Sequence, residues 1–252
     1  MTPKTDMLEG FNAVGEAIAA GRRAVHRVLI AEKDSSRRAS RLAAAANRRN
    51  IAVEKVPENR WRSLLKARPH QGVAAEAEAY PLVSASIWTE AMESRSVTPF
   101  LLLLDQVQDP GNLGAIARTA LCAGVHGIIV PKDRSAPLSP TVAKASAGAI
   151  EHLRIARVNN LVRTMASLKT AGFWITGLIP TVDSSLFDMD FGEPTALVIG
   201  GEGTGLRPLV RRTCDRLAAI PQAGRFDSLN AAAAAAVALY EVFRQRRGGA
   251  PA

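Results

Sequence analysis

The stretch Phe100–Ala123, FLLLLDQVQDPGNLGAIARTALCA, decides the fold class of this chain. It begins with five consecutive apolar residues, a pattern typical of a strand that is buried on both faces. Asp109-Pro110-Gly111 then predicts a turn, and the segment from Asn112 to Ala123 predicts a helix. A strand, a turn and a helix in this order form the repeating unit of an α/β protein.

The same alternation continues toward the C-terminus. Strands are predicted at residues 127–130, 152–158, 173–178, 196–199 and 216–220, and helices at residues 141–149, 161–171 and 231–246. Continuous apolar strands that alternate with helices argue for a parallel sheet covered on both faces.

The first 80 residues predict a smaller α/β unit. Its helices are expected at residues 12–20, 36–47 and 58–66, and its strands at residues 27–31, 51–56 and 72–76. Residues 79–99 contain prolines at both ends and four serines, which indicates a linker with one short helix possible at residues 87–92. We therefore predict a small domain over residues 1–79, a linker over 80–99 and a larger domain over 100–252.

Composition narrows the class of protein. The chain has 252 residues, of which 47% are hydrophobic, as expected of a protein with a core. The longest uncharged apolar run, Ala231–Tyr240, is too short to span a bilayer, and no signal pattern precedes Leu8, so we expect a cytoplasmic protein without membrane contact. Cys122 and Cys214 lack the spacing of a zinc site, and we expect them to be buried free thiols.

Positive charge is concentrated in the N-terminal part. The net charge of the chain is +9, yet residues 22–68 alone contain 14 Lys or Arg and 4 Asp or Glu, a balance of 14 − 4 = +10. A basic surface of this kind attracts polyanions, which favours RNA as the partner over a merely solvated face. The candidate RNA contacts are Arg22, Arg23, Arg37, Arg38, Arg41, Arg48 and Arg49.

Three loops of the larger domain could carry chemistry. In the first, Asn112 could be a simple helix cap and Arg118 a surface ion-pair partner, whereas Gly114 near the start of a helix suggests close approach by a chain or ligand. The second, Gly200–Leu206, holds four glycines, but it lacks the pattern of a nucleotide-binding loop and carries Glu202, so a flexible turn stays possible.

The third loop joins the strand at residues 216–220 to the alanine-rich helix. Asp227, Ser228 and Asn230 could all be helix caps, and no setting for a Ser-His-Asp triad is evident around Ser228. Loops at the carboxyl ends of strands, with a helix N-terminus behind them, are nevertheless where α/β proteins place ligands.

Together, the three loops resemble, in order, the three motifs of the SpoU family of RNA 2′-O-ribose methyltransferases, in the SPOUT superfamily. The matching segments are residues 112–124, 198–206 and 220–230. The segment PKDRSAP, Pro131–Pro137, is similar to the RlmB branch, which methylates a guanosine of large-subunit ribosomal RNA. Gly10–Val14 and His70–Val73 resemble the small substrate-binding domain of that branch.

The resemblance implies an α/β fold with a deep trefoil knot, S-adenosylmethionine as methyl donor, no metal, and a homodimer. The side chains that match active-site positions are Asn112, Arg118, Glu202, Ser228 and Asn230. The positions that match donor-binding residues are Ile199, Gly200, Gly201, Ile220, Ser228 and Leu229. Two alternatives stay open: methylation of transfer RNA by the same fold, and a non-catalytic RNA- or ribosome-binding protein.

Overall fold

The computed structural model describes residues 5–65, 71–92, 98–224 and 228–248. The predicted helix end at Lys66, His70 of the second N-terminal motif and Asp227 lie outside these residues. The chain divides into two compact units: residues up to Pro81 together with Pro137–His152, and Leu82–Ala136 together with Leu153 onward. The division differs from the predicted one in the segment Pro137–His152, which the sequence assigns to the larger domain.

Among the described residues of the first unit, four strands form a mixed sheet in the order β1-β4-β2-β3. Its strands are β1 Thr5–Glu9, β2 Val25–Ala31, β3 Ala52–Val56 and β4 Val73–Glu78. Its helices are α1 Phe11–Ala20, α2 Arg37–Arg48, α3 Glu58–Leu64 and α6 Pro140–Ala145, followed by a 3₁₀ helix at Ala149–His152. The sequence analysis missed β1, which pairs antiparallel with β4.

The two N-terminal motifs meet where β1 leads into α1. The backbone N–H of Gly10 donates to the carbonyl of Val73 at 3.2 Å, and that of Phe11 donates to Oε1 of Gln71 at 3.4 Å. Gly10 has a φ of 94°, a conformation that glycine adopts without the steric cost of a side chain. The motifs are thus neighbours in space although 60 residues separate them.

Helix α2 presents a basic stripe to solvent. Ala39, Leu42 and Ala46 are its buried residues. At about 100° per residue, the exposed residues Arg37, Arg41 and Arg48 fall within about 40° of one another on the opposite side. None of these three guanidinium groups makes a hydrogen bond or ion pair with another described residue. We call Arg37, Arg41 and Arg48 the α2 stripe.

Arg23 is a correction to the predicted RNA contacts, because its guanidinium is buried. It donates to both carboxylate oxygens of Glu151, to Asp6 at 3.1 Å and to the carbonyl of Glu78 at 3.0 Å. The side chains of Arg23 and Glu151 are only 3% and 1% exposed. Burial raises the pKa of Glu151, and the adjacent guanidinium opposes that shift. Arg23 therefore ties the segment Pro137–His152 to the first unit.

In the described part of the second unit, six strands form a parallel sheet in the order β10-β8-β9-β5-β6-β7. The strands are β5 Phe100–Asp105, β6 Gly127–Pro131, β7 Ile155–Val158, β8 Trp174–Leu178, β9 Thr195–Gly200 and β10 Arg216–Ala218. The helices are α4 Ser86–Ala91, α5 Pro110–Cys122, α7 Leu161–Thr170, α8 Pro208–Thr213 and α9 Ala231–Gly248, with a 3₁₀ helix at Leu186–Asp188.

Both faces of this sheet are covered, as predicted. Leu101 and Leu103 of β5 belong to a core that also includes residues of α4, α7 and α8. Leu102 and Leu104 are equally buried, and side chains alternate between the two faces of a strand. On that other face α9 packs against β9 and α5. The FLLLLD pattern has no polar position before Asp105 because neither face meets water.

The predicted linker is partly built into the second unit. Val83 donates its N–H to the carbonyl of Ile155 at 3.0 Å. Trp88 in α4 is 3% exposed and lies directly against Gly127, where a Cβ would come within 1.9 Å of its ring. Residues 82–92 therefore belong to the second unit, and Trp88 contributes to its core.

The cysteines differ from expectation in one respect. Both are free, but Cys122 is exposed and Cys214 is only partly buried. Burial raises the pKa of the Cys214 thiol to about 12, so that thiol stays protonated and unreactive at neutral pH. Within the described ranges, no helix has the length and apolar character needed to cross a membrane.

We predict that Arg23→Met destabilises the first unit by about 3–5 kcal/mol, because it leaves Glu151 and Asp6 as uncompensated carboxylates. Amide hydrogen exchange of β2 and β4 in the full chain measures the loss. Arg37→Met, on the α2 stripe, is the matched control and should leave exchange unchanged. Equal exchange in the two variants would show that the buried ion pair does not hold this unit together.

Candidate functional site

The loops that follow β5 and β9 leave the sheet side by side. The two strands pair in parallel, with Leu104 opposite Ile199 and Asp105 opposite Gly200. The first loop leads into α5, which carries Asn112, and the second carries Glu202 immediately after its strand. The register therefore places two of the predicted active-site residues at one edge of the sheet.

Asp109, and not Asn112, caps α5. Its Oδ2 accepts a hydrogen bond from the backbone N–H of Asn112 at 2.7 Å, and the helix begins at Pro110. A proline at the first helical position loses no hydrogen bond, since that N–H has no partner inside a helix. Because the cap is already supplied, the side-chain amide of Asn112 is available for another role.

Asn112, Glu202 and Asn230 form a closed hydrogen-bond network. Nδ2 of Asn112 donates to Oε1 of Glu202 at 2.8 Å. Nδ2 of Asn230 donates to Oδ1 of Asn112 at 3.1 Å and to the same Oε1 of Glu202. The three residues come from three separate loops, up to 118 positions apart in sequence. Hydrogen bonds to a carboxylate are stronger than those between neutral groups, so the network fixes the three loops relative to one another.

Asn230 fulfils the capping role as well as the network role. Its Oδ1 accepts from the N–H groups of Ala232 at 2.8 Å and Ala233 at 3.3 Å, at the start of α9. A capping asparagine uses only its oxygen, which leaves the amide NH₂ free to donate elsewhere. The capping and active-site interpretations of this residue are therefore compatible.

The glycines of the second loop permit a close backbone contact. A Cβ on Gly201 would lie 2.2 Å from the carbonyl oxygen of Gln106, and one on Gly200 would lie 2.2 Å from the backbone of Gly205. The N–H of Gly201 donates to the carbonyl of Asp105 at 2.8 Å. The loop is thus a folded turn pressed against the end of β5 and not an open phosphate cradle.

An ion pair between buried Asp105 and half-exposed Arg207, which was not predicted from the sequence, holds the end of this loop. Asp105 is fully buried, and it accepts hydrogen bonds from the backbone N–H of Arg207 at 2.8 Å and from its Nε at 2.7 Å. The signal in the sequence was a carboxylate at the end of an otherwise apolar strand. Its role could not be assigned because the partner lies 102 positions away.

A cavity opens at the carboxyl ends of the neighbouring strands β8, β9 and β10. All six predicted donor-binding residues line it: Ile199, Gly200, Gly201, Ile220, Ser228 and Leu229. Glu202 lines it too, and Asn230 lies between two lining residues, Leu229 and Ala231. The sequence analysis missed the wall that follows β8, which is Leu178, Ile179 and Pro180.

The described residues that line the cavity include one charged side chain, Glu202, and no lysine or arginine. Oε2 of Glu202 receives no hydrogen bond from the described residues, whereas Oε1 accepts two. The cavity is therefore apolar, with one carboxylate oxygen available, and is unsuited to a phosphate group. No cluster of three or more His, Cys, Asp or Glu side chains that could hold a metal lies within the described ranges.

Arg118 stands apart from the network. It is exposed on α5 and makes no hydrogen bond or ion pair with another described residue. Six helical positions separate it from Asn112, which corresponds to about 9 Å along the axis and about 120° around it. The structure therefore brings together Asn112, Glu202 and Asn230, with Ser228 on the adjoining cavity wall, but not Arg118.

The alanine run has a packing role within the chain. Ala231 and Ala235, followed by Ala238, Leu239 and Val242, are buried. They recur at helical spacing along one side of α9, which packs on α5, where Gly114 is also buried. Small side chains let two helices approach closely, which agrees with the burial of Ala231, Ala235 and Gly114. The other alanines of the run, Ala232, Ala233, Ala234 and Ala236, are not buried.

A doubly covered parallel sheet with a ligand-sized cavity across its carboxyl ends defines a class of α/β ligand-binding proteins. Two family models match the chain: "SpoU rRNA Methylase family" over residues 99–240, and "RNA 2'-O ribose methyltransferase substrate binding" over residues 7–83. The chain belongs to the SpoU family of RNA methyltransferases.

Curated relatives match along nearly the whole chain. YacO of Bacillus subtilis strain 168, provisionally named a TrmH-family tRNA/rRNA methyltransferase, is 40% identical over 98% of both chains. The 23S rRNA (guanosine-2′-O-)-methyltransferase RlmB of Ralstonia nicotianae is 39% identical over 96% of this chain and 97% of its own.

A solved structure confirms the predicted fold class. The SpoU methyltransferase AviRb from Streptomyces viridochromogenes, in complex with AdoMet, is 30% identical and has a TM-score of 0.78, covering 97% of this chain and 92% of its own. The small N-terminal domain and the parallel sheet are thus confirmed. The trefoil knot is implied by this shared fold.

We predict that Gly201→Ala lowers the free energy of unfolding by about 1–3 kcal/mol, because the added methyl group must displace the backbone at Gln106. Thermal unfolding of the full chain measures the change. Gly224→Ala is the matched control, since a Cβ at Gly224 meets nothing within 4 Å. If the two variants unfold at the same temperature, the contact between the loops after β5 and β9 is not as close as described.

Proposed function

We propose that this protein transfers a methyl group from S-adenosylmethionine to the 2′-oxygen of a ribose in RNA, and that the target is a guanosine of 23S ribosomal RNA. The observation that carries the proposal is the Asn112–Glu202–Asn230 network beside an apolar cavity. A non-catalytic RNA-binding protein would need neither the network nor the cavity.

The chemistry of the cavity suits this donor. Ile199, Ile220 and Leu229 offer apolar contact for flat or aliphatic groups, and the glycines expose backbone N–H and C=O groups. S-adenosylmethionine carries no phosphate, which agrees with a cavity whose described walls hold no cation. When bound, the donor supplies an already activated methyl group.

The network would orient the acceptor ribose. The free Oε2 of Glu202 can accept a hydrogen bond from a hydroxyl group, and the two asparagines hold that carboxylate in one position. Correct placement of the reacting oxygen can supply about 7–11 kcal/mol of a reaction barrier in favourable cases. We therefore propose that Glu202 and Asn112 orient the acceptor ribose and that Ser228 contacts the methyl donor in the cavity.

Arg118 would bind the phosphate next to the target ribose. A guanidinium group stays protonated in proteins and carries five N–H donors but no acceptor, so it suits phosphate binding and not proton abstraction. It is exposed and uncommitted to other described residues, as a phosphate-binding group must be before RNA arrives. Loss of the hydroxyl proton would then be assisted by that phosphate or by a water molecule.

The α2 stripe supports an RNA-binding role for the first unit. Arg37, Arg41 and Arg48 line one exposed side of a helix and are free to contact phosphates. Arg38 and Arg49 lie near that side, where Arg38 donates to Asn12 and Arg49 to the carbonyl of Ala19. Arg22 is half-buried against Tyr80 and is the weakest of the remaining candidates. Clustered cations on one helix face are typical of sequence-independent backbone binding.

Ribosomal RNA is favoured over transfer RNA by the family model of the larger domain, whose description names rRNA, and by the relative named for 23S rRNA guanosine. Transfer RNA stays the second candidate because the name of the Bacillus subtilis relative covers both. We also propose that the enzyme acts in the cytoplasm as a homodimer, a state favoured by the exposed apolar side chain of Tyr240 on α9.

We predict that the purified protein, S-adenosylmethionine and unmodified 23S rRNA yield one 2′-O-methylguanosine, located by mass spectrometry of RNA fragments. Glu202→Ala should lower turnover by about 10²-fold or more, because it removes the group that orients the acceptor. Calorimetry should find donor affinity little changed in this variant.

Methylation of transfer RNA alone would replace the proposed substrate with the second candidate. A wild-type protein that binds no donor would favour the non-catalytic alternative. If Glu202→Ala abolishes donor binding and has no other effect, the assignment of Glu202 to the acceptor is wrong.

We predict that Arg118→Lys lowers turnover by roughly tenfold to a hundredfold, because lysine keeps the charge but cannot make the bidentate contact that positions a phosphate. The measurement is the turnover rate across a range of pH at saturating RNA. Activity close to that of the wild type would contradict the bidentate role of Arg118.

A further inference from the structure

The segment Lys132–Ala136, which follows β6, has no role in the site described above. It belongs to the PKDRSAP motif and carries two exposed cations, Lys132 and Arg134, on either side of Asp133. We call this segment the β6 loop. Neither cation makes a side-chain hydrogen bond or ion pair with another described residue.

Both ends of the β6 loop are fixed to the second unit. The N–H of Lys132 donates to the carbonyl of Val158 at 2.8 Å, which extends the ladder between β6 and β7. The N–H of Ala136 donates to the carbonyl of Val107 at 2.9 Å, and Ala136 is buried. Val107 lies in the loop that leads to Asn112, so the β6 loop is tied directly to the active-site loop.

The register of the sheet places the β6 loop beside the acceptor side of the site. Leu103 pairs with Ile129, so the carboxyl ends of β5 and β6 lie side by side at the same edge of the sheet. The carboxyl end of β9 lies at this edge too, on the other side of β5. Across the carboxyl edge, the order is therefore the donor cavity, then Glu202, then the loop to Asn112, then Lys132 and Arg134.

The backbone of the β6 loop is held in a costly conformation. Arg134 has a φ of 54°, in the left-handed region. A residue with a side chain meets a steric cost there that glycine avoids. Backbone strain of this kind clusters at active sites and at segments that clamp ligands.

We propose that Lys132 and Arg134 bind the phosphodiester backbone of the substrate RNA beyond the target nucleotide, on the side of the site opposite the donor cavity. The inference rests on the proposed function, since it extends the path of the same RNA strand. The bound strand runs from the target ribose at Glu202, across the loop that leads to Asn112, to the β6 loop. Asp133, between the two cations, keeps the net charge of the loop at +1, so contact is limited to one or two phosphates.

The test compares Arg134→Gly and Arg134→Lys with the wild type in the full chain. Arg134→Gly removes the cation and suits the observed φ, so the variant should fold at least as well as the wild type in thermal unfolding. Its affinity for unmodified 23S rRNA, measured by filter binding over a series of KCl concentrations, should fall several-fold. The slope of log K against log salt should shrink by about 0.7 to 1, as expected for one lost phosphate contact.

Arg134→Lys should retain most of the salt dependence, because it keeps the charge. Arg154→Ala is the control for loss of one exposed cation, since Arg154 precedes β7 at the opposite, amino edge of the same sheet. In steady-state methyl transfer, Arg134→Gly should raise KM for RNA several-fold and leave kcat and donor affinity unchanged.

The proposal is overturned if Arg134→Gly binds RNA with the wild-type slope and KM, or if Arg154→Ala produces an equal loss. A wild-type protein that methylates no RNA would instead contradict the proposed function. The salt dependence of RNA binding would still test the β6 loop in that case, because it needs no methyl transfer.

Discussion

The contact between the loops after β5 and β9 is the constraint on which the site depends. Gly201 lies so close to the carbonyl of Gln106 that no larger residue fits without displacement of the backbone. Asp105, buried at the end of β5, holds Arg207 at the other end of the same loop. Because the glycine loop is fixed at both ends, the carboxylate of Glu202 has a defined position, and the two asparagines can meet it.

Helix capping and the active-site network depend on the same few residues. Asp109 caps α5 and thereby frees the amide of Asn112, whereas Asn230 caps α9 with its oxygen and uses its NH₂ group in the network. Each helix thus begins at the site with part of its orphan N–H groups capped by a side chain. Helix α9 packs on α5, and the asparagines at the starts of the two helices both donate to Glu202.

Positive charge in the first unit has two different uses. In the sequence, all arginines of the first unit belong to one basic region, but in the structure they differ in burial. Arg23 is buried with Glu151 and Asp6 and stabilises the unit, whereas Arg37, Arg41 and Arg48 point away from the buried side of α2. A buried guanidinium needs carboxylates around it, and an RNA-binding one needs solvent access.

The sequence by itself determined the doubly covered parallel sheet, most helix and strand positions, the motif residues at its three loops, and the resemblance to the SpoU family. These follow from local apolar patterns, turn residues and motif order, which need no knowledge of distant partners. Only the tertiary structure decided that Asn112, Glu202 and Asn230 share hydrogen bonds and that Arg118 lies apart from them. It also decided that the residues after β8 complete the cavity wall and that Pro137–His152 belongs to the first unit. Each depends on side chains or segments tens of positions apart, and such pairings are set by strand register and packing, which no local pattern records.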